Sequence, residues 1–179
     1  MKSVIKTIVF SLLLSLALVS CKDEGSVQTY FVEHQDLPDY KQMDLSANLM
    51  DFSSAELSAE EKETIQSLKK ISFTGYRATG DETEYKQELE KAKRVFKNEK
   101  YNELMDFSMG GMKIKVNSIG TDDAVDEILV LMSSQKTGFG VARIIGDDIN
   151  PEKVMMMINN MQKVDVDNSQ LKSIMNFFN

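Results

Sequence analysis

The chain has 179 residues, with 21 basic and 28 acidic side chains, a formal net charge of −7 and a pI near 4.8. So acidic a surface repels phosphate backbones and argues against a nucleic-acid partner. A single cysteine rules out an intramolecular disulfide, and a single histidine leaves neither a Cys–His dyad nor a His-rich metal site within reach.

Residues 1–20 hold Lys2, Lys6, an apolar run from Ile8 to Val19 and no acid. At 12 residues the run is shorter than the ~20 needed to span a bilayer, and the pattern is that of an export signal. Cys21 closes it, with Leu18 three positions before and the small Ser20 immediately before. Leu18-Val19-Ser20-Cys21 resembles the bacterial lipobox, where a thiolate attacks a lipid donor to form a stable thioether and the chain is cut ahead of the cysteine. That resemblance implies that Cys21 is the first mature residue and the attachment to a membrane, since several acyl chains at ~0.8 kcal/mol per buried CH₂ hold firmly. From Cys21 onward there are 19 basic and 28 acidic residues, a charge of −9. Lys22-Asp23-Glu24 then resembles the lysine-plus-acids export signal of Bacteroidota lipoproteins. It implies display on the cell surface, with the periplasmic face of the outer membrane as the alternative. The organisation expected is a signal peptide over 1–20, a lipidated cysteine and flexible tether over 21–28, and one domain over 29–179.

Within that domain, a short helix is expected near Tyr30–His34, a break at Leu37-Pro38-Asp39 and a helical turn around Ala47–Met50. Ser58 and Glu61 have capping-box spacing, opening a helix with Ile65 and Leu68 on a narrow apolar face. Ile71 and Phe73 alternate as in a strand over 71–77. A long helix is expected next, with Tyr85, Leu89, Ala92, Val95 and Phe96 at helical spacing and Leu104 and Phe107 continuing it past an interruption near Asn98. Beyond Gly110-Gly111 the period is two: Met112, Ile114 and Val116 alternate with Lys113, Lys115 and Asn117. Residues 127–133 and 139–145 are apolar on both faces, as interior strands are, and short links join all three into an antiparallel meander. Asn150-Pro151 is a helix start, and Leu171, Ile174, Met175 and Phe178 have the spacing of a closing amphipathic helix.

The residues that could carry chemistry are few. No serine sits in a nucleophile elbow, and "GFG" and "MGG" lack phosphate-binding spacing. Asp122-Asp123, Asp147-Asp148 and the run from Asp165 to Ser169 could attract a hard cation, but the last has Gln170 and Asn176 where a calcium loop needs Gly and Glu, so no metal or other cofactor is expected. Met155, Met156, Met157 and Met161 occupy more than one helix face, which suits a core and, as a second reading, a surface for a protein partner.

Behind the lipobox, the stretches "YFVEHQDLPDY", "FKNEKYNELMDF", "GFGVARIIGDDINPEKV" and "SQLKSIMNFF" resemble the small bacterial lipoproteins grouped as domain-of-unknown-function family 4252. The resemblance implies an envelope location and carries over no catalytic residue and no ligand. The fold expected is α+β: a small antiparallel sheet, made of a three-strand meander plus one strand, with helices packed on one face. The function expected is that of a non-enzymatic, lipid-anchored envelope protein acting through protein–protein contacts. The alternatives are a regulator in an envelope signalling system and a carrier of a small apolar ligand.

Overall fold

In a computed structural model of the chain, the residues described are 25–46, 58–120, 125–154, 156 and 177. They form three helices, α1 (Val27–His34), α2 (Ala59–Ser67) and α3 (Glu82–Phe96). Six strands accompany them: β1 (Tyr40–Ser46), β2 (Leu68–Arg77), β3 (Asn102–Met109), β4 (Met112–Gly120), β5 (Val125–Ser134) and β6 (Gly138–Ile149). Residues 151–154 add a helical turn, entered through Asn150, whose side chain accepts from the Lys153 amide at 3.0 Å.

Local sequence accounts for most boundaries. Ser58 and Glu61 cap the start of α2 reciprocally, Oγ accepting from the Glu61 amide at 3.2 Å and the Glu61 carboxylate from the Ser58 amide at 2.9 Å. Asp81 Oδ1 accepts from the amides of Thr83 and Glu84 to open α3, and Lys93 and Arg94 in its last turn complement the helix dipole. Met109 pairs with Met112 across a two-residue turn in which Gly110 and Gly111 have φ of 60° and 82°, the left-handed pair that matches the twist of a hairpin.

The strands make one antiparallel sheet in the order β1-β2-β6-β5-β4-β3. This overturns the expected small sheet of a three-strand meander plus one strand. The segments at 112–116, 127–133 and 139–145 are neighbours as β4, β5 and β6, and β2 lies beside β6, but β1 and β3 extend the sheet at both edges. β3 replaces the expected continuation of the long helix: Met105 and Phe107 face Val116 and Ile114 of β4 with Asp106 between them, a period of two. Asn98 stops α3 by accepting from the Lys100 amide at 3.1 Å. Leu68 likewise begins β2 instead of belonging to the helix before it. α1 starts at Val27, inside the stretch expected as tether, and Val27 is buried.

Helices cover both faces of the sheet, which overturns the expectation of helices on one. Alternate residues of β5 supply two separate cores. Leu129 and Leu131 pack with Val141, Phe139, Tyr76 and Tyr40 beneath α1 and α3, which contribute Tyr30, Tyr85, Leu89, Ala92, Val95 and Phe96. Ile128 and Val130 pack on the other face with Ile114, Val116, Ile144 and Leu45, joined by Ile65 of α2 and by Val154. Phe177 also lies on that second face, its ring 5.4 Å from that of Phe73 and edge-on to it. A sheet buried on both sides requires the near-continuous apolar sequence of β5 and β6.

The turns 110–111 and 135–137 lie at one end of the sheet, since Gly138 pairs with Arg77 and Ser133 with Lys113. The opposite end holds the start of α1, the end of α3 and Gly120, paired with Val125. α1 and α3 thus run antiparallel across the same face.

Candidate functional site

Polar chemistry inside the domain concentrates on the face beneath α1 and α3, in two groups. At the first, Tyr40, Tyr76 and Phe139 stand side by side on β1, β2 and β6, with the Tyr76 and Phe139 rings stacked at 5.3 Å. α1 lays His34 over this row, its ring 4.2 Å from that of Tyr30 and 4.6 Å from that of Tyr40. The His34 Nδ1–H donates to the Tyr30 carbonyl at 2.7 Å, which turns Nε2 toward the Glu88 carboxylate of α3 at 3.9 Å. Glu88 Oε2 accepts from the Tyr40 hydroxyl at 2.9 Å, and Oε1 from Lys91 at 2.5 Å. Burial pushes the Glu88 carboxyl up, but hydrogen bonds from Lys91 and Tyr40 and the positive charges beside it outweigh burial and hold it below the usual carboxylate range. Burial, the neighbouring Tyr30 and the bond to Glu88 all drive the Tyr40 hydroxyl up, so it stays protonated and a donor.

The second group lies toward the other end of the same face. Arg143 Nη2 donates to Glu127 Oε2 at 2.7 Å, and Nη1 donates to Gln28 Oε1 on α1 at 2.9 Å. Glu127 Oε1 accepts from the Tyr101 hydroxyl at 3.0 Å. Asn117 Nδ2 donates to the Phe96 carbonyl at 3.0 Å and so holds the end of α3 on the sheet. Apart from the Arg143–Glu127 pair, which joins β6 to β5, each bond of this group ties a helix, or the turn after one, to a strand.

Chemically, the two groups fasten the helices in place. His34 has a ring on each side and both nitrogens directed at protein acceptors, a poor arrangement for a general base that must reach a substrate. Among the described residues, no group of three or more His, Cys, Asp or Glu side chains is placed to hold a metal ion. Asp147 is engaged by Lys69 at 2.5 Å. The acids Asp122, Asp123, Asp165 and Asp167 lie outside the described residues.

The same holds for the residues that the sequence marked for attachment and export: Leu18, Val19, Ser20, Cys21, Lys22, Asp23 and Glu24. Of the methionines marked as a partner surface, Met156 is half exposed, while Met155, Met157 and Met161 are outside the described residues. Sequence reasoning missed Arg143, Glu127 and Tyr101. A lone arginine inside the apolar run of β6 was the available signal, because a charge there has to find a buried partner.

The model of the family described as domain of unknown function (DUF4252) matches residues 30–157, which span all six strands and both polar groups except Gln28. The chain belongs to the DUF4252 family. No curated protein and no solved structure matches it. Among the described residues, no helix is long and apolar enough to cross a membrane.

Proposed function

We propose that this DUF4252 protein is a lipid-anchored protein of the cell envelope, attached through Cys21, that works by binding another protein and not by catalysis. One observation carries the reading: the only cysteine of the chain stands at the end of a basic-then-apolar leader, behind Leu18, Val19 and Ser20, and only four positions before Gly25, which already contacts the end of α3. A binding role is supported by the polar residues of the domain, which are spent on fastening α1 and α3 to the sheet. Lys22, Asp23 and Glu24 favour carriage to the outer face of the outer membrane, and Met156 offers an exposed apolar side chain.

The test is mass spectrometry of the N-terminal peptide from the membrane fraction. The expected species begins at Cys21 and carries a diacylglyceryl group and an amide-linked acyl chain, and Cys21→Ala moves the protein out of that fraction. An unmodified N-terminus sinks the reading. Protease treatment of intact cells separates surface display, which leaves the domain digestible, from the periplasmic face, and crosslinking in the native envelope captures the protein partner.

A further inference from the structure

The distance between anchor and fold decides how the domain can stand on its membrane. Three residues separate Cys21 from Gly25, and the four steps between their Cα atoms, at ~3.5 Å each, reach about 14 Å at most. Gly25 is fixed in the fold: its carbonyl accepts from Asn98 Nδ2 at 3.4 Å, and it lies against the Arg94 carbonyl at the end of α3. Three residues on, Gln28 is bound to Arg143 in the middle of β6. From Arg143 to Gly138, at the far end of that strand, is five residues, or about 17 Å at ~3.3 Å each. The anchor cannot be carried round to the turns at 110–111 and 135–137.

From this geometry we infer that the end of the domain built by the last turn of α3 and the turn after it is the surface that meets the lipid headgroups. The inference rests on Cys21 being the lipid anchor. The charges at this place are of both signs. Arg94 and Lys97 are exposed and make no ion pair among the described residues. Beside them, Glu90 of α3 is paired with Lys93 at 2.7 Å and Glu99 lies in the turn; at the same end of the sheet Asp147 is engaged by Lys69, while Asp126 and Asp148 are exposed. The distal turns, with Met109 exposed on one of them, are left facing away from the bilayer, where a protein partner can approach.

The experiment uses the full lipidated chain purified from membranes. Thioether formation consumes the only native thiol, so one introduced cysteine takes a fluorophore alone. Glu99→Cys labels the proximal turn and Lys136→Cys the distal one, both at exposed positions. Asn102→Cys and Gln135→Cys serve as a second pair if either variant melts abnormally. Each is placed in phosphatidylcholine vesicles carrying a spin-labelled headgroup lipid, and flotation is measured on the same samples. Floating protein whose proximal label is quenched several-fold more than the distal one is the expected result. Floating protein with equal or reversed quenching overturns the orientation and leaves the anchor standing. Protein that does not float, or whose Cys21 carries no lipid mass, overturns the anchor itself.

Discussion

Arg143 and Glu127 form an ion pair beneath α1 and α3, Nη2 to Oε2 at 2.7 Å, with the two side chains only 21% and 10% exposed. Removing one partner from such a pair strands a charge, whereas replacing both by apolar groups of similar volume is close to neutral. Glu127→Gln should therefore destabilise the domain by about 3 kcal/mol, the low end for a broken buried pair because Arg143 keeps some contact with water. The double variant Glu127→Leu with Arg143→Met should recover most of that loss. Denaturant midpoints of Glu127→Leu, Arg143→Met and the double variant measure it, and a double variant no better than those singles would show that the pair holds α1 and not merely itself.

Glu88 links stability to pH. Its carboxyl is held below the ordinary value of 4.5 in the folded chain, chiefly by bonds from Lys91 and Tyr40 that outweigh the effect of burial. A carboxyl with a depressed folded value contributes stability that is present above its unfolded value and lost as pH falls through the folded one. Stability should thus fall with acid from about pH 4.5 downward. Asp44, Glu82 and Glu90 shift in the same direction. The Glu88 share is therefore read as a difference: Glu88→Gln should be less stable than the parent at neutral pH and converge on it in acid. Parallel curves for the two proteins would assign the acid loss to the other carboxyls.

What could be read beforehand was what lies close in sequence. Ser58 and Glu61 are three residues apart, and each caps the other's backbone amide. The α3 stripe from Tyr85 to Phe96 and the β4 alternation of Ile114 and Val116 follow one period each. β3 was hidden because Leu104 and Phe107 also fit helical spacing, and only pairing with β4 decides that Met105 and Phe107 share a face. β1 was hidden because an edge strand needs no clean alternation: Lys41 and Met43 share a face, and so do Gln42 and Asp44. The Arg143–Glu127 group was invisible for a different reason. Its members come from α1, β5, β6 and the turn after α3, and no local pattern links them.

Gly138 opens β6 with φ of 125°, and a Cβ built there would stand 2.0 Å from the Tyr76 carbonyl oxygen. The contact is backbone against backbone, so no side-chain rotation relieves it. Gly138→Ala should incur a positive-φ strain of about 1–3 kcal/mol and add the cost of parting β6 from β2. The expected readout is a collapse of the thermal transition, whereas Gly110→Ala, with open space around the new Cβ, should suffer only the conformational part. Equal losses at both positions would show that the clash is absorbed by a shift of β2.

Phe177 tests where the domain ends. The family match stops at residue 157, yet Phe177 is buried on the second face of the sheet, edge-on to Phe73 and 5.7 Å below the Arg77 guanidinium. Gly75 makes room for it, since a Cβ there would lie 2.7 Å from the Phe177 ring. A ring so enclosed contributes by apolar burial and by the edge-on pair, so Phe177→Ala should cost about 3 kcal/mol in the denaturant midpoint. Gly75→Ala should cost part of the same energy by pushing the ring out, and the two losses should not add, because both act on one contact. Full additivity would mean that Gly75 serves the Phe73 ring instead, and that the C-terminal residues contribute to the fold independently of β2.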